Sequence, residues 1–457
     1  MRDNDKRSMI EIQLPKQVKN IINALQAKGY EAYAVGGCIR DSLLGKEPHD
    51  WDITTSALPA EVKSIFAHTI DTGIRHGTVT VMQHGEGYEV TTYRIDGEYE
   101  DGRHPRQVTF TRSLQEDLKR RDFTINAMAY NESDGLVDLF GGREDLGSGI
   151  IRAVGEARER FAEDALRMLR AVRFAAQLGF EVDRDTAEAI TDLADTLSRI
   201  SAERIRSELE KLLLSDHPEK LELCSRYGLT RVFLPQFDEA MTTEQNNPHH
   251  CYTVGRHIIE SICHIRPQRS LRLTMLFHDL GKPACRTTDA NGIDHFKGHP
   301  EISAQIAAAE MRNLKFDNAA TGDVIALTRA HDIRIEPTEK SVRRLLAGLG
   351  ERRFFMLLEV QEADILAQSM YERKEKLERL HQVRQLGEEI IAKKDCLSLR
   401  ELAVKGADLM AMGYPKGPKI GRELGLLLER VIEEPSLNER EILLRMAAAD
   451  AQQEANI

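Results

Sequence analysis

The sequence predicts a multidomain, mainly α-helical protein that begins with an α+β head. Three observations carry this expectation. The chain has 457 residues, more than one hydrophobic core serves, so about two to four domains are expected. Strand-like and helix-like segments are mixed up to about residue 150, the pattern of an α+β unit. Beyond about residue 155, Leu/Ala/Glu/Arg-rich segments dominate and aromatics are only 5% of the chain, which is helical composition.

The elements follow in order. "QVKNIINALQAKG" has helical apolar spacing and stops at Gly29. "YEAYAVGG" reads as a strand breaking at two glycines, and "CIRDSLLG" resumes as a helix ended by Gly45. "DWDITT" reads as a strand, on which Asp50, Asp52 and Thr54 share one face and Trp51 and Ile53 the other. Ser56 is expected to cap the helix "PAEVKSIF", with Pro59 in its first turn. "GTVTVMQHGEGYEVTTYR" predicts a β-hairpin around His84–Gly87. Four parts are expected: residues 1–150, 151–240, 241–390 and 391–457.

Bulk composition narrows the class. Hydrophobic residues at 41% and charged ones at 30% suit a globular protein. No apolar run reaches the roughly 18 residues of a membrane span, and the polar start "MRDNDKRSM" is no secretory signal. The six cysteines lack a C-x-x-C spacing, so neither a disulfide framework nor a thiolate zinc site is expected. A cytoplasmic protein with no membrane partner and no obligatory protein partner follows. The net charge of −11 argues against indiscriminate polyanion binding but allows a local basic surface.

Chemistry concentrates in the head. Asp50 and Asp52, one residue apart, repel unless a cation lies between them. Magnesium, a hard ion that takes carboxylate and phosphate oxygens together, fits best. Gly36 and Gly37 stand between a strand and a helix, where free backbone N–H groups receive phosphate oxygens, and Arg40 lies one turn on. Glycine turn, arginine and paired acids together describe a nucleoside triphosphate site.

The stretch "VGGCIRDSLLGKEPHDWDIT" resembles the G-G-x-x-R-D-x-x-L-G-x-x-x-x-D-x-D core of class II template-independent nucleotidyltransferases, the family of CCA-adding tRNA enzymes and bacterial poly(A) polymerases. "RRDFTINAMAY", "VDLFGGREDL" and "RFAEDALRMLRAVRFAAQLGF" follow in the family's order, over the first 210 or so residues. The resemblance implies a polymerase-β-like head (1–150) and a helical neck and body that recognises the base (151–240). It implies Asp50 and Asp52 as the catalytic carboxylates on Mg2+, with Glu89 a candidate third. Arg121 is expected on phosphate, Asp122 and Asn126 on the ribose 2′-hydroxyl, and Phe123, Ile125 and Met128 in the core.

In "EDALR", Asp164 and Arg167 are expected on one helical face, three residues apart. A carboxylate only accepts hydrogen bonds and a guanidinium only donates. Cytosine and adenine both present an amino donor beside a ring acceptor, so one pair fits both. Uracil and guanine reverse that order. Arg170 is expected to brace the pair, with Glu163 beside it, and Arg173 completes the nucleotide-binding set.

The segment 94–113 fills the place of the family's flexible loop, with Asp101, Gly102 and Arg103 its residues of interest. The tail "LAVKGADLMAMGYPKGPKIGRELGLLLERVIEEPSLN" resembles the tRNA-gripping end of CCA-adding enzymes, with Lys416, Lys419 and Arg422 expected on phosphates. "LFHDLGKP" resembles the HD metal-dependent phosphohydrolases. That pattern implies a metal on His257, His278, Asp279 and Asp364, with His299 and His331 toward a second ion, and magnesium or a transition metal as cofactor.

The expected function is CCA addition to a tRNA 3′ end from CTP and ATP by two-metal catalysis, with a phosphohydrolase activity in the HD part (241–390) and a tRNA-binding tail (391–457). The alternatives are A-only addition, poly(A) synthesis, or an HD enzyme acting on 2′,3′-cyclic phosphate ends with the head serving to dock tRNA.

Overall fold

The computed structural model describes residues 11–96 and 108–455. The chain divides into two compact units, Met1–Pro235 and Gln236–Ile457.

The first unit opens with α1 (Lys16–Gln26), which buries Val18, Ile21, Ile22 and Leu25 at helical spacing. Next come β1 (Ala32–Val35), α2 (Gly37–Leu43), β2 (Ile53–Thr55), α3 (Pro59–Ile65), β3 (Thr69–Gly73), β4 (Thr78–Gln83) and β5 (Glu86–Thr92). β6 (Arg94–Asp96), β7 (Val108–Phe110), α4 (Leu114–Lys119), β8 (Met128–Asn131), β9 (Gly135–Asp138) and α5 (Gly142–Ser148) complete the head. A seven-stranded sheet runs β3-β4-β5-β2-β1-β8-β9. Its one parallel pair is β2 with β5, setting Ile53 opposite Val90.

The expected hairpin forms, and Gln83 pairs with Glu86. Its turn is His84–Gly85, with φ of 54° and 90°, the two-residue loop whose twist matches the flanking strands. The cap of α3 differs from expectation. Leu58 is the N-cap and its N–H donates to Glu61 Oε2 at 2.7 Å, while the Ser56 hydroxyl accepts from the Glu31 N–H at 2.9 Å. A backbone donor 25 positions away has taken the expected cap.

Four helices follow: α6 (Ala157–Glu163), α7 (Leu166–Leu178), α8 (Arg184–Leu193) and α9 (Ala202–Leu213). α7 packs on α9 and buries most of its length, including Met168, Leu169, Val172 and Ala175. Phe123, Ile125 and Met128 are fully buried, as expected.

The second unit is helical apart from a short ribbon, Thr287–Thr288 with Asp294–His295. Its last helices close on a core of their own, built from Leu402, Val404, Leu409, Leu427, Val431 and Leu443. Among the described residues no helix is long and apolar enough to cross a membrane, and no disulfide joins any of the six cysteines.

Gly142 fixes the turn that carries Asn126. A Cβ there would lie 2.2 Å from the Thr124 carbonyl oxygen, too close for any rotamer to relieve. Gly142→Ala is expected to cost about 1–3 kcal/mol, read as a lower urea midpoint at unchanged slope.

Candidate functional site

Asp50 and Asp52 lie just before β2, which starts at Ile53. The Asp52 carbonyl accepts from the Val35 N–H at 3.0 Å, extending the pairing of β1 and β2 to that residue. Desolvation raises the Asp52 carboxyl, Arg121 opposes the rise, and Asp50 adds to it. Glu89 on β5 is raised by desolvation and then by Asp52 and Asp50. Three carboxylates thus share one electrostatic neighbourhood that the protein's own cations do not neutralise. Such a donor set fits a hard divalent ion.

The glycine turn carries an arginine against it. Gly36 sits at φ 87°, and a Cβ there would come 2.8 Å from Arg121 Nη1. Arg121 Nη2 lies 3.7 Å from Asp117. Asp117 is fully buried, accepts from Thr54 Oγ1 at 3.0 Å and from Arg120 Nε at 2.9 Å, and was not expected. In "LQEDLKRR" it reads as one more surface charge, because only the sheet contact through Thr54 buries it.

A chain of hydrogen bonds joins the ribose motif to the helices. Arg40 Nη1 donates to Asn126 Oδ1 at 2.8 Å, and Asn126 Nδ2 to Asp122 Oδ1 at 3.2 Å. Arg170 donates twice to Asp122 Oδ2, at 2.9 and 2.5 Å. Burial opposes the charge on Asp122, but Arg170 and Asn126 hold its carboxyl far below the usual range. Arg173 is buried, pairs with Glu208 and donates to Gln177 Oε1 at 2.6 Å. It braces α7 against α9.

Asp164 and Arg167 are not partners on one helix. α6 ends at Glu163, and Asp164 caps it at φ −140° before α7 begins. Its Oδ1 accepts from the Leu166 N–H at 3.1 Å, which stabilises the break. Asp164 instead meets Arg204 of α9 at 2.7 Å. Arg167 donates to Glu163 at 2.7 Å and to the Arg160 and Arg120 carbonyls at 3.1 and 2.9 Å.

In the second unit, residues up to 107 positions apart converge. His257 Nε2 lies 2.8 Å from Asp364 Oδ1, 3.4 Å from Asp279 Oδ2 and 3.3 Å from His278 Nε2. Asp279 Oδ1 faces His299 at 3.2 Å and His331 at 3.5 Å, whose own Nε2 atoms are 3.2 Å apart. The tautomers follow from the other ring nitrogens. Nδ1 of His278, His299 and His331 lies 2.7–2.8 Å from the Met275, Phe296 and Thr328 carbonyls. A carbonyl cannot donate, so each Nδ1 carries hydrogen and Nε2 is the ring atom turned inward. Asp279 Oδ2 is buried without an aligned hydrogen bond, although Lys282 Nζ is 2.7 Å away. Converging ring nitrogens oriented by backbone carbonyls are the arrangement metal ions select. A cleft of about 390 Å³ opens on Asp279, His299, His331 and Asp364, with His250 and Lys282 in its wall.

Lys416, Lys419 and Arg422 are exposed at and beyond the start of the helix Pro418–Glu433. Asp101, Gly102 and Arg103 lie outside the described residues.

Residues 32–152 match the poly A polymerase head domain family, 179–241 a probable RNA- and SrmB-binding site of polymerase A, and 298–447 a putative tRNA nucleotidyltransferase domain 2. The CCA-adding enzyme of Lactiplantibacillus plantarum is 59% identical over 240 residues, 52% of this chain and 58% of that enzyme. That of Leuconostoc mesenteroides is 56% identical over 218 residues, 47% and 54% of the two chains. These stretches span little more than half the length of those relatives. The CCA-adding enzyme of Bacillus stearothermophilus, solved in complex with CTP, superposes with a TM-score of 0.72 at 34% identity, over 97% of this chain and 100% of that one. On head, order of motifs and length-wide likeness, the chain belongs to the family of CCA-adding tRNA nucleotidyltransferases.

Proposed function

We propose that the chain builds or repairs the 3′-terminal CCA of tRNA from CTP and ATP, with no nucleic-acid template. The observation that carries this reading is the shared neighbourhood of Asp50, Asp52 and Glu89, where desolvation and mutual repulsion raise two of the carboxyls. Those acids would hold Mg2+, which lowers the pKa of an attacking hydroxyl and stabilises a leaving pyrophosphate. In the reaction the tRNA 3′-oxygen bonds to the α-phosphorus, the bond to the bridging oxygen breaks, and pyrophosphate departs.

The chain's own groups bind and orient. The N–H groups at Gly36–Gly37, with Arg40 and Arg121, receive the triphosphate. Asp122 and Asn126, held by Arg170 and Arg40, meet the ribose 2′-hydroxyl. Asp164 and Arg167 read the base edge, and Arg173 acts at one remove through Glu208. Lys416, Lys419 and Arg422 contact tRNA phosphates. In this reading 1–150 is the catalytic head, 151–240 the base-reading neck and body, 241–390 a metal domain and 391–457 the tRNA-binding tail. The cytoplasm, where tRNA is processed, is its setting. A-only addition and poly(A) synthesis are not favoured, because the similar proteins are CCA-adding enzymes.

A second reading, favoured by the inward-facing imidazoles, gives the second unit its own activity. His257, His278, Asp279 and Asp364, extended by His299 and His331, suit a transition metal or magnesium. The activity is hydrolysis of a phosphoester such as the 2′,3′-cyclic end of a damaged tRNA.

Asp50→Ala and Asp52→Ala are each expected to lower nucleotide addition by at least about 10³-fold, with tRNA still bound in a gel-shift assay. Turnover near the parent rate in either variant would rule out the acidic pair. The Asp50→Ala/Asp52→Ala double variant, given Mg2+, Mn2+, Co2+ or Ni2+ in turn, is expected to open a 2′,3′-cyclic phosphate on RNA, and a further His278→Ala change to abolish that. No hydrolysis with any of the four metals removes the second reading.

A further inference from the structure

We infer that Arg204 is a positioning residue for nucleotide choice, acting through Asp164. The inference rests on the base-reading role of Asp164 proposed above.

Acceptor-only recognition by a carboxylate needs two conditions. It must stay ionised, since a protonated carboxyl donates and would then accept a keto edge such as that of uracil. Its lone pairs must also be aimed, because a rotating carboxylate offers every direction equally. Arg204 supplies the second. Its Nη2 donates to Asp164 Oδ2 at 2.7 Å and its Nη1 to Oδ1 at 3.3 Å. A guanidinium keeps its charge at any working pH, and its two-pronged grip fixes the carboxylate plane. The Leu166 N–H takes a third position, at 3.1 Å. A carboxylate offers about four acceptor positions, so about one remains for a base amine.

The other nearby groups do not share the task. The Glu163 oxygens face Arg160 and Arg167 at 2.5 and 2.7 Å. A comparison along α9 separates this pair from a structural brace. Glu208, one turn on from Arg204, is paired with Arg173, and those side chains are only 5% and 7% exposed. The Arg204 and Asp164 side chains are 23% and 14% exposed. Of the two ion pairs, the one carrying Asp164 is open enough to be met by a ligand.

Single-nucleotide addition by the full chain, on tRNAs lacking one or all of the terminal nucleotides, measures kcat/KM for CTP, ATP and UTP separately. Arg204→Ala is expected to raise the UTP/CTP ratio at least about tenfold, Arg204→Gln to do the same, and Arg204→Lys to restore most of the discrimination. In an Asp164→Ala background the Arg204 change should add nothing further, the non-additivity of groups acting as one. If Arg204→Ala lowers all three nucleotides equally while Asp164→Ala relaxes the ratio, Arg204 is a structural brace and only the base-reading role survives. An unchanged ratio in Asp164→Ala overturns both. Should Arg204→Ala fail to fold in a thermal melt, the Gln and Lys variants decide by the same ratio.

Discussion

Acidic side chains placed near one another by backbone pairing are the constraint on which the head depends. The Asp52 carbonyl is tied to the Val35 N–H, and the next residue, Ile53, is paired with both Ala34 and Val90. Glu89 is fixed one residue before Val90. An unconstrained chain would relieve such crowding by rotating. β1, β2 and β5 fix the backbone beside these acids over a buried layer that includes Ile53, Val79 and Val90, each at most 1% exposed. Packing energy is thereby converted into a poised electrostatic site, the usual trade at a functional centre.

Arginine spreads the same logic through the first unit. Arg40, Arg170 and Arg204 each fork onto an acid or amide, and Arg121 approaches Asp117 at 3.7 Å. Removing one partner from a buried pair costs about 3–5 kcal/mol, because the other charge is stranded. Asp122, with its carboxyl held far below the usual range behind Arg170, is such a case.

The sequence carried the local elements well and the long-range pairings poorly. α1, β1, α2 and the β4–β5 hairpin follow from periodicity and turn residues, which act over a few positions. The Ser56 cap failed because a distant N–H, that of Glu31, competes for the hydroxyl. The continuous helix expected through "EDALR" failed for a local reason too short for periodicity to register: the Asp164 side chain bonds the Leu166 N–H and breaks the helix there. Asp117 and Arg204 were missed because each has a decisive partner far along the chain, 63 and 40 positions away. The histidines of the second unit were found because their residue types and order are rare enough to survive without geometry.

The two units solve one problem with different ligands, and this sets what each can bind. The head offers oxygen only, and oxygen donors with exposed positions favour ions that keep water and take phosphate. The second unit offers imidazole nitrogen with carboxylate, its rings fixed by backbone carbonyls at Met275, Phe296 and Thr328. Nitrogen donors bind late first-row metals more tightly than magnesium. Protonation should also separate the centres: imidazole ligands are lost to protons at a higher pH than carboxylates. On the two metal assignments proposed above, donor type would sort the ions between the units.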